Sequence, residues 1–211
     1  YIISLFAHTL NLARCGHQSV VVCLVKIMER ENQEDERTAA IRFAKHAKID
    51  GAARFHGIAT YGHSIKLYWH KFQDTLRVSA LQRLLKAWTS LREPSPAELY
   101  SQIDWLYDEL DQARAWLVPL FPSTCNVFKM YVQAHHRALG ELLQAQMPLE
   151  EVDAASLLEL YHVAQEHETR LLKKKHGIDA SWLEPSLLGG REQNIMDDYT
   201  CLLYTSPSPR D

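Results

Sequence analysis

Apolar residues recur every three or four positions along most of this chain, which is the period of an α-helix. Residues 1–13 are mostly apolar, and Gly16 follows as a stop. Residues 19–47 read as one long helix. Val20, Val21, Leu24, Ile27 and Met28 make its first half apolar, residues 29–37 are strongly polar, and Ala40, Ile41 and Ala44 resume a stripe. The period breaks between Asp50 and His63, where Gly51, Gly57 and Gly62 mark a connection. It returns at Ser64. Ile65, Trp69, Phe72, Leu76, Ala80, Leu84 and Trp88 then share one face of a helix that ends near Arg92.

The sharpest boundary follows. Ser95 suits an N-cap, Pro96 suits the first helical position, and Glu98 can reach back to the Ser95 amide in a capping box. The helix so opened carries Leu99, Ile103, Leu106, Leu110, Ala113 and Leu117 in alternating steps of four and three, a bundle seam. As one rod of about 20 residues it would span roughly 30 Å. Pro119 and Pro122 end it, and Ser123 caps the next helix, which runs to about Gln146 with Val127, Phe128, Tyr131, Val132, Leu139, Leu142 and Leu143 inward. Asp153 or a residue just before it starts another, with Leu157, Leu160, Tyr161, Ala164, Leu171 and Leu172 on one side. The lysines 173–175 fall in its last turn and Gly177 at its stop. Residues 181–188 predict a short turn near Pro185, Gly189-Gly190 a hinge, and residues 191–203 a last helix.

This pattern predicts an all-α fold of stacked helical bundles, an elongated rod of antiparallel amphipathic helices. It divides the chain into N-terminal helices over 1–49, a flexible linker over 50–63, a helical-bundle segment over 64–203 and a tail over 204–211. The N-terminal helices read as continuing from an upstream part, since position 1 is Tyr and not Met. The tail fits no pattern, Pro207 and Pro209 forbid a helix there, and it reads as a non-native scar.

Composition narrows the function. Apolar residues are 46% of the 211 and charged residues 23%, so whole-chain disorder is excluded. A formal net charge of -3 lacks the basic excess that nucleic-acid binding needs. Eight Gly and eight Pro are too few for an all-β chain with frequent turns. Cys15, Cys23, Cys125 and Cys201 form no C-x-x-C pair, which suits a reducing compartment. The apolar run 19–25 is too short to span a bilayer, so no transmembrane segment is expected.

Candidate chemistry is sparse. Glu159-x-x-His162 has the one-turn spacing of a metal pair, but a di-iron bundle needs a second such pair and two further glutamates, and the chain offers no second pair. His167-Glu168 lacks the second histidine of a zinc-protease helix. A solvated helix face accounts for these residues. His135 and His136 are adjacent, so they point apart and cannot chelate together; one is expected near the core and one outside. Cys125 nearby invites a Cys–His nucleophile, but no third orienting group is indicated. Gly189-Gly190-Arg191-Glu192 could hold an anion, although a hinge plus helix start explains it as simply. The run 29–37 reads as a solvent face with i,i+4 pairs such as Arg30 with Glu34, and the basic patch 173–176 as a complement to helix-end carbonyls. No catalytic, cofactor-binding or metal residue is assigned, and no cofactor is expected.

Several blocks nevertheless resemble one family. Ser19-Val-Val-Val-Cys-Leu-Val-Lys-Ile-Met-Glu-Arg-Glu-Asn32, Leu110-Asp-Gln-Ala-Arg-Ala-Trp-Leu-Val-Pro-Leu-Phe-Pro122 and Val127-Phe-Lys-Met-Tyr-Val-Gln-Ala-His-His-Arg-Ala-Leu139 are similar to segments of the exocyst complex component 3 family, the Sec-six subunit. Ala155-Ser-Leu-Leu-Glu-Leu-Tyr161, Leu183-Glu-Pro-Ser-Leu-Leu188 and Asp198-Tyr199 continue in the same order. The resemblance covers roughly residues 19–203 and looks like the middle of the subunit. It implies a non-enzymatic helical scaffold of the exocyst, which docks secretory vesicles at the plasma membrane in exocytosis. It further implies other exocyst subunits and plasma-membrane SNARE proteins as partners, and a cytoplasmic location, peripheral at sites of secretion. The competing readings are a helical adaptor unrelated to secretion and a helical-bundle metalloenzyme.

Overall fold

The computed structural model of the chain describes residues 2–46, 63–147, 153–173, 177–190, 197 and 199–200. Among these residues the fold is all-α: α1 (Ile2–Phe6), α2 (Thr9–Arg14), α3 (Gln18–His46), α4 (Tyr68–Ser90), α5 (Pro96–Gln102), α6 (Asp104–Trp116), α7 (Val127–Gln146) and α8 (Ala154–Leu171), with no strand. The expected linker lies outside the described residues apart from His63. So do the tail and most of the expected last helix.

One apolar core joins the helices, with α4 lying along α7 as its most extensive pairing. Phe72, Leu76, Ala80, Leu84 and Trp88 of α4 are all buried, as their spacing predicts. Phe6 and Phe121 close around Phe72, with ring centroids 5.4 and 5.9 Å away. In α3 the apolar half divides. Val21, Leu24, Val25 and Met28 are buried, whereas Val20 and Ile27 face outward. No described residue of α3 beyond Asp35 is buried, and Phe43 is 69% exposed.

The predicted seam is buried at every position, but it does not lie on one straight helix. Leu99, Ile103, Leu106, Leu110, Ala113 and Leu117 are all in the core. The axis breaks at Ile103, whose backbone sits at φ -101 and ψ 22. The Leu106 amide bonds to the Ile103 carbonyl at 2.9 Å, a tightened turn. The break lets α5 pack on α8 while α6 packs on α7 and α2, so one stripe serves neighbours in two directions. Ser95 does cap α5, its hydroxyl accepting from the Glu98 amide at 3.2 Å, whereas the Glu98 carboxylate accepts from Gln102 at 3.4 Å.

Other termini shift for identifiable reasons. α4 begins at Tyr68, four residues after the period starts, because Asp35 captures the preceding turn. Its carboxylate accepts from the Lys66 amide (3.0 Å) and the Leu67 amide (2.7 Å), and lies 2.6 Å from His63 Nε2. Leu67 is thereby held at φ +50, a region that L side chains rarely adopt. Asp35 is therefore not a solvated member of the polar run but a buried one, 4% exposed. Burial raises its carboxyl, and His63 with the two amides outweighs that and holds it below the ordinary carboxylate range. The i,i+4 contact within that run joins Asn32 to Glu36 at 2.7 Å, not Arg30 to Glu34. α7 is capped by Asn126 and not by Ser123, which begins a short 3₁₀ turn (Ser123–Cys125); the Asn126 side chain accepts from the Lys129 amide. Asp153 caps α8 as expected. α8 ends at Leu171, before the lysines, so Gly177, although at φ +56, is not its stop. Residues 181–188 do contain a turn, the 3₁₀ segment Ala180–Leu183.

Truncating Leu106, fully buried at the centre of the seam, should lower the unfolding free energy by about 2–5 kcal/mol in Leu106→Ala. Leu106→Asp should cost more, because it also strands a carboxylate in the core. Chemical denaturation reads both. An unchanged midpoint in Leu106→Asp would remove the seam from the core.

Candidate functional site

The sequence places three histidines near helix surfaces or only partly inside. The structure buries all three. His135 and His136 are 2% and 4% exposed, and His167 is fully buried. Adjacent residues on α7 point apart, but here one faces α6 and the other faces α8, and both directions lead inward.

His136, His167, Tyr107 and Tyr100 form a chain of hydrogen bonds across four helices. His136 Nε2 lies 2.9 Å from the Pro185 carbonyl oxygen. A carbonyl only accepts, so His136 carries its proton on Nε2 and offers a lone pair on Nδ1. His167 Nε2 lies 3.2 Å from that lone pair and must donate to it. The His167 Nδ1 lone pair then receives the Tyr107 hydroxyl at 2.8 Å. Tyr107, having spent its proton, accepts from the Tyr100 hydroxyl at 3.3 Å. The two imidazole planes are inclined by 17° with centroids 5.4 Å apart. Every step has one permitted direction, and both imidazoles are neutral.

The electrostatics agree. Burial pushes His167 down to about 3, and the neighbouring His136, Arg170 and His135 further disfavour a proton there. Burial also lowers His136, against the pull of the Pro185 and Leu183 carbonyls. The Tyr107 phenol is raised by burial and by Tyr100. Arg170 caps this end: its guanidinium lies 3.6 Å over the Tyr107 ring and pairs with Asp104 at 2.7 Å.

A second polar cluster lies on the other side of α7. His135 Nδ1 donates to the Tyr131 carbonyl at 2.8 Å, and its Nε2, buried and without a hydrogen bond, stands 3.7 Å from Glu109. Burial raises the Glu109 carboxyl, but His135 and Arg83 more than offset this and hold it low. Arg83 pairs with Glu109 and stacks 3.7 Å over Trp105.

The remaining candidates stay apart. His162 is exposed and Glu159 half-buried on α8, and among the described residues no three His, Cys, Asp or Glu side chains converge as metal ligands. Burial raises the Cys125 thiol, with Thr124 opposing and Glu29 reinforcing, which makes it a poor nucleophile. It borders a cleft with Glu29, Asn32 and Trp69. Gly189 and Gly190 have positive φ, as a hinge would, while Arg191 and Glu192 lie outside the described residues. Sequence reasoning missed Tyr100, Tyr107 and Arg170. The signal was the seven-residue spacing of two tyrosines beside the seam, which puts two hydroxyls on the buried side of α5 and α6. Among the described residues no helix is long and apolar enough to cross a membrane.

The arrangement ties α5, α6, α7 and α8 together through buried side chains. Its relation to known proteins is direct. The model of the family described as "Exocyst complex component Sec6" matches residues 2–206. The chain belongs to that family. It is similar to the "Exocyst complex component sec6" of Schizosaccharomyces pombe, with 24% identity over 193 residues, 91% of this chain and 25% of that protein. The chain thus spans about a quarter of the length of this Sec6 relative. No solved structure matches it. Two members of the relay fall in blocks that resemble the family, His136 in the third and Pro185 in the fifth.

Two predictions follow from the relay. Tyr107→Phe leaves His167 Nδ1 buried without a donor, so urea unfolding near neutral pH should show a loss of about 1–3 kcal/mol. The pH dependence has a fixed sign. His167 falls from 6.5 in the unfolded chain to about 3 in the fold, so the unfolded state binds a proton that the native state excludes. Stability is intact above about pH 6.5 and declines as pH falls toward about 3, by about 1.4 kcal/mol per pH unit for one proton. Urea midpoints in His167→Phe should show a shallower acid slope than the parent.

Proposed function

We propose that this chain is a helical scaffold segment of an exocyst subunit, acting by shape and surface in the docking of secretory vesicles at the plasma membrane. The match of residues 2–206 to the exocyst component family carries this reading. The physical record is compatible with it. Seam residues are spent on packing, buried polar groups on one another, and the exposed ground consists of helix faces such as the outer side of α3. Stacked helices of this kind build stiff, elongated bodies that bind through faces. The reading makes the protein a tether and not an enzyme. It places the protein in the cytoplasm, peripheral at sites of secretion, with other exocyst subunits and plasma-membrane SNARE proteins as partners and without a cofactor. The finer assignment within the family is exocyst complex component 3.

Affinity purification of the full-length protein, followed by identification of the bound chains, tests the proposal. Recovery of other exocyst subunits in comparable amounts is the expected result. Recovery of an unrelated assembly without them favours a general helical adaptor and overturns the secretory role. Stoichiometric iron or zinc in the purified protein would favour the metalloenzyme alternative.

A further inference from the structure

The polar run of α3 carries a row of a different kind from Asp35. Glu29, Glu36 and Phe43 are seven residues apart, so they stand nearly in line along the helix, about 10 Å between neighbours. Glu29 and Glu36 line a cleft of about 390 Å³, faced by Trp69 of α4, Cys125 of the 3₁₀ turn and Met130 of α7. Glu36 accepts from Asn32 of its own helix at 2.7 Å. Past the cleft Phe43 continues the row and is 69% exposed, which gives the row an apolar end. Arg37 and Arg42 are turned to either side, each about 100° off the row.

The same molecule shows what a ring and a carboxylate do together elsewhere. Arg83 stacks 3.7 Å over Trp105 and pairs with Glu109. Arg170 lies 3.6 Å over Tyr107 and pairs with Asp104. Both are seams between helices, and both hold an arginine between a ring and a carboxylate. Other carboxylates that bridge elements also have cations, Glu31 with Lys66 and Glu141 with Arg77. The α3 cleft repeats the acceptors, one ring beside two carboxylates, but none of its lining side chains is basic. Among the described residues no lysine or arginine pairs with Glu29 or Glu36 or lies over Trp69. The charge of Glu29 is felt across the cleft, where it raises the Cys125 thiol.

We propose that this row is a docking face for a basic helix of a partner protein, which sets arginine or lysine side chains against Glu29 and Glu36 beside Trp69 and an apolar residue against Phe43. Charge complementarity selects the partner. A cation beside Trp69 and the carboxylates gains from ring and charge together. The same carboxylates repel phosphate, so nucleic acid and anionic lipid are poor occupants. An acidic or wholly apolar helix would leave two carboxylates against like charge or without a partner. The seven-residue interval selects a helix, because one lying along α3 presents its own side chains at the same interval. Such a face belongs to a scaffold that binds through helix surfaces, and a peptide-binding test of it succeeds or fails independently of which chains co-purify.

The probe is a fluorescent, alanine-rich helical peptide with two arginines and a leucine at seven-residue intervals, offered in both sequence directions. Anisotropy with the full-length protein at low salt reads its binding. It should bind, and the same peptide with glutamates in place of arginines should not. Glu29→Lys combined with Glu36→Lys should weaken binding about tenfold or more, and Phe43→Ser should weaken it less. Glu36→Lys alone should weaken it severalfold. Glu34→Lys changes the net charge by the same amount on another side of α3 and should leave binding as it is. Alkylation of Cys125 by iodoacetamide at mildly alkaline pH, read by mass spectrometry, locates the peptide. It should slow in the complex, while the exposed Cys15 and Cys23 react as before. No binding of the arginine peptide, equal weakening by Glu34→Lys and Glu36→Lys, binding untouched by Phe43→Ser, or full reactivity of Cys125 in the complex would each overturn the proposal.

Discussion

Polar groups inside an apolar helical body need partners, and most partners accept or donate in only one direction. Pro185 offers a carbonyl oxygen and nothing else, so it dictates the tautomer of His136, then of His167, then the hydroxyl orientations of Tyr107 and Tyr100. Four helices and a loop are thereby tied to a single arrangement of protons. The apolar core supplies the bulk of the stabilisation and tolerates sliding. A directed chain of hydrogen bonds does not, because a displaced member strands a buried donor or acceptor. The same rule operates at Asp35, which is buried in an otherwise exposed stretch of α3 and fully engaged by one ring and two amides.

These arrangements turn their perturbed groups inward. A reactive centre exposes perturbed groups to a substrate and places acids and bases in opposition. Here the perturbed groups point at one another. His167 and Tyr107 are held in their neutral forms, and Glu109 in its charged form between Arg83 and His135. Their hydrogen bonds and ion pairs are spent on holding α5, α6, α7 and α8 in register.

Much of this could be read from the residues, and the rest was hidden for physical reasons. Spacing identified the inward faces of α4, α7 and the Leu99–Leu117 stripe, because burial of apolar side chains follows helical period. It did not show the break at Ile103, since a stripe with steps of four and three is equally buried on a straight helix or on two short ones facing different neighbours. Caps were legible where the local chemistry was complete, as at Ser95 and Asp153, and misplaced where a turn intervened, as at Asn126. The histidines were misjudged because a helical wheel knows one helix at a time. His136 and His167 lie 31 positions apart on different helices, and only their meeting in the fold makes the outward side of one the inward side of the other.

The grip of Asp35 on Lys66 and Leu67 has a mechanical consequence. It fixes the start of α4 with an anchor on α3, 31 residues earlier in the chain than Lys66. The entry to α4 is then fixed by α3 itself. Loop-closure entropy grows only as the logarithm of length, about 0.6 kcal/mol for each doubling. A longer connection between α3 and α4 should therefore cost little stability, since the Asp35 anchor keeps both helices in place.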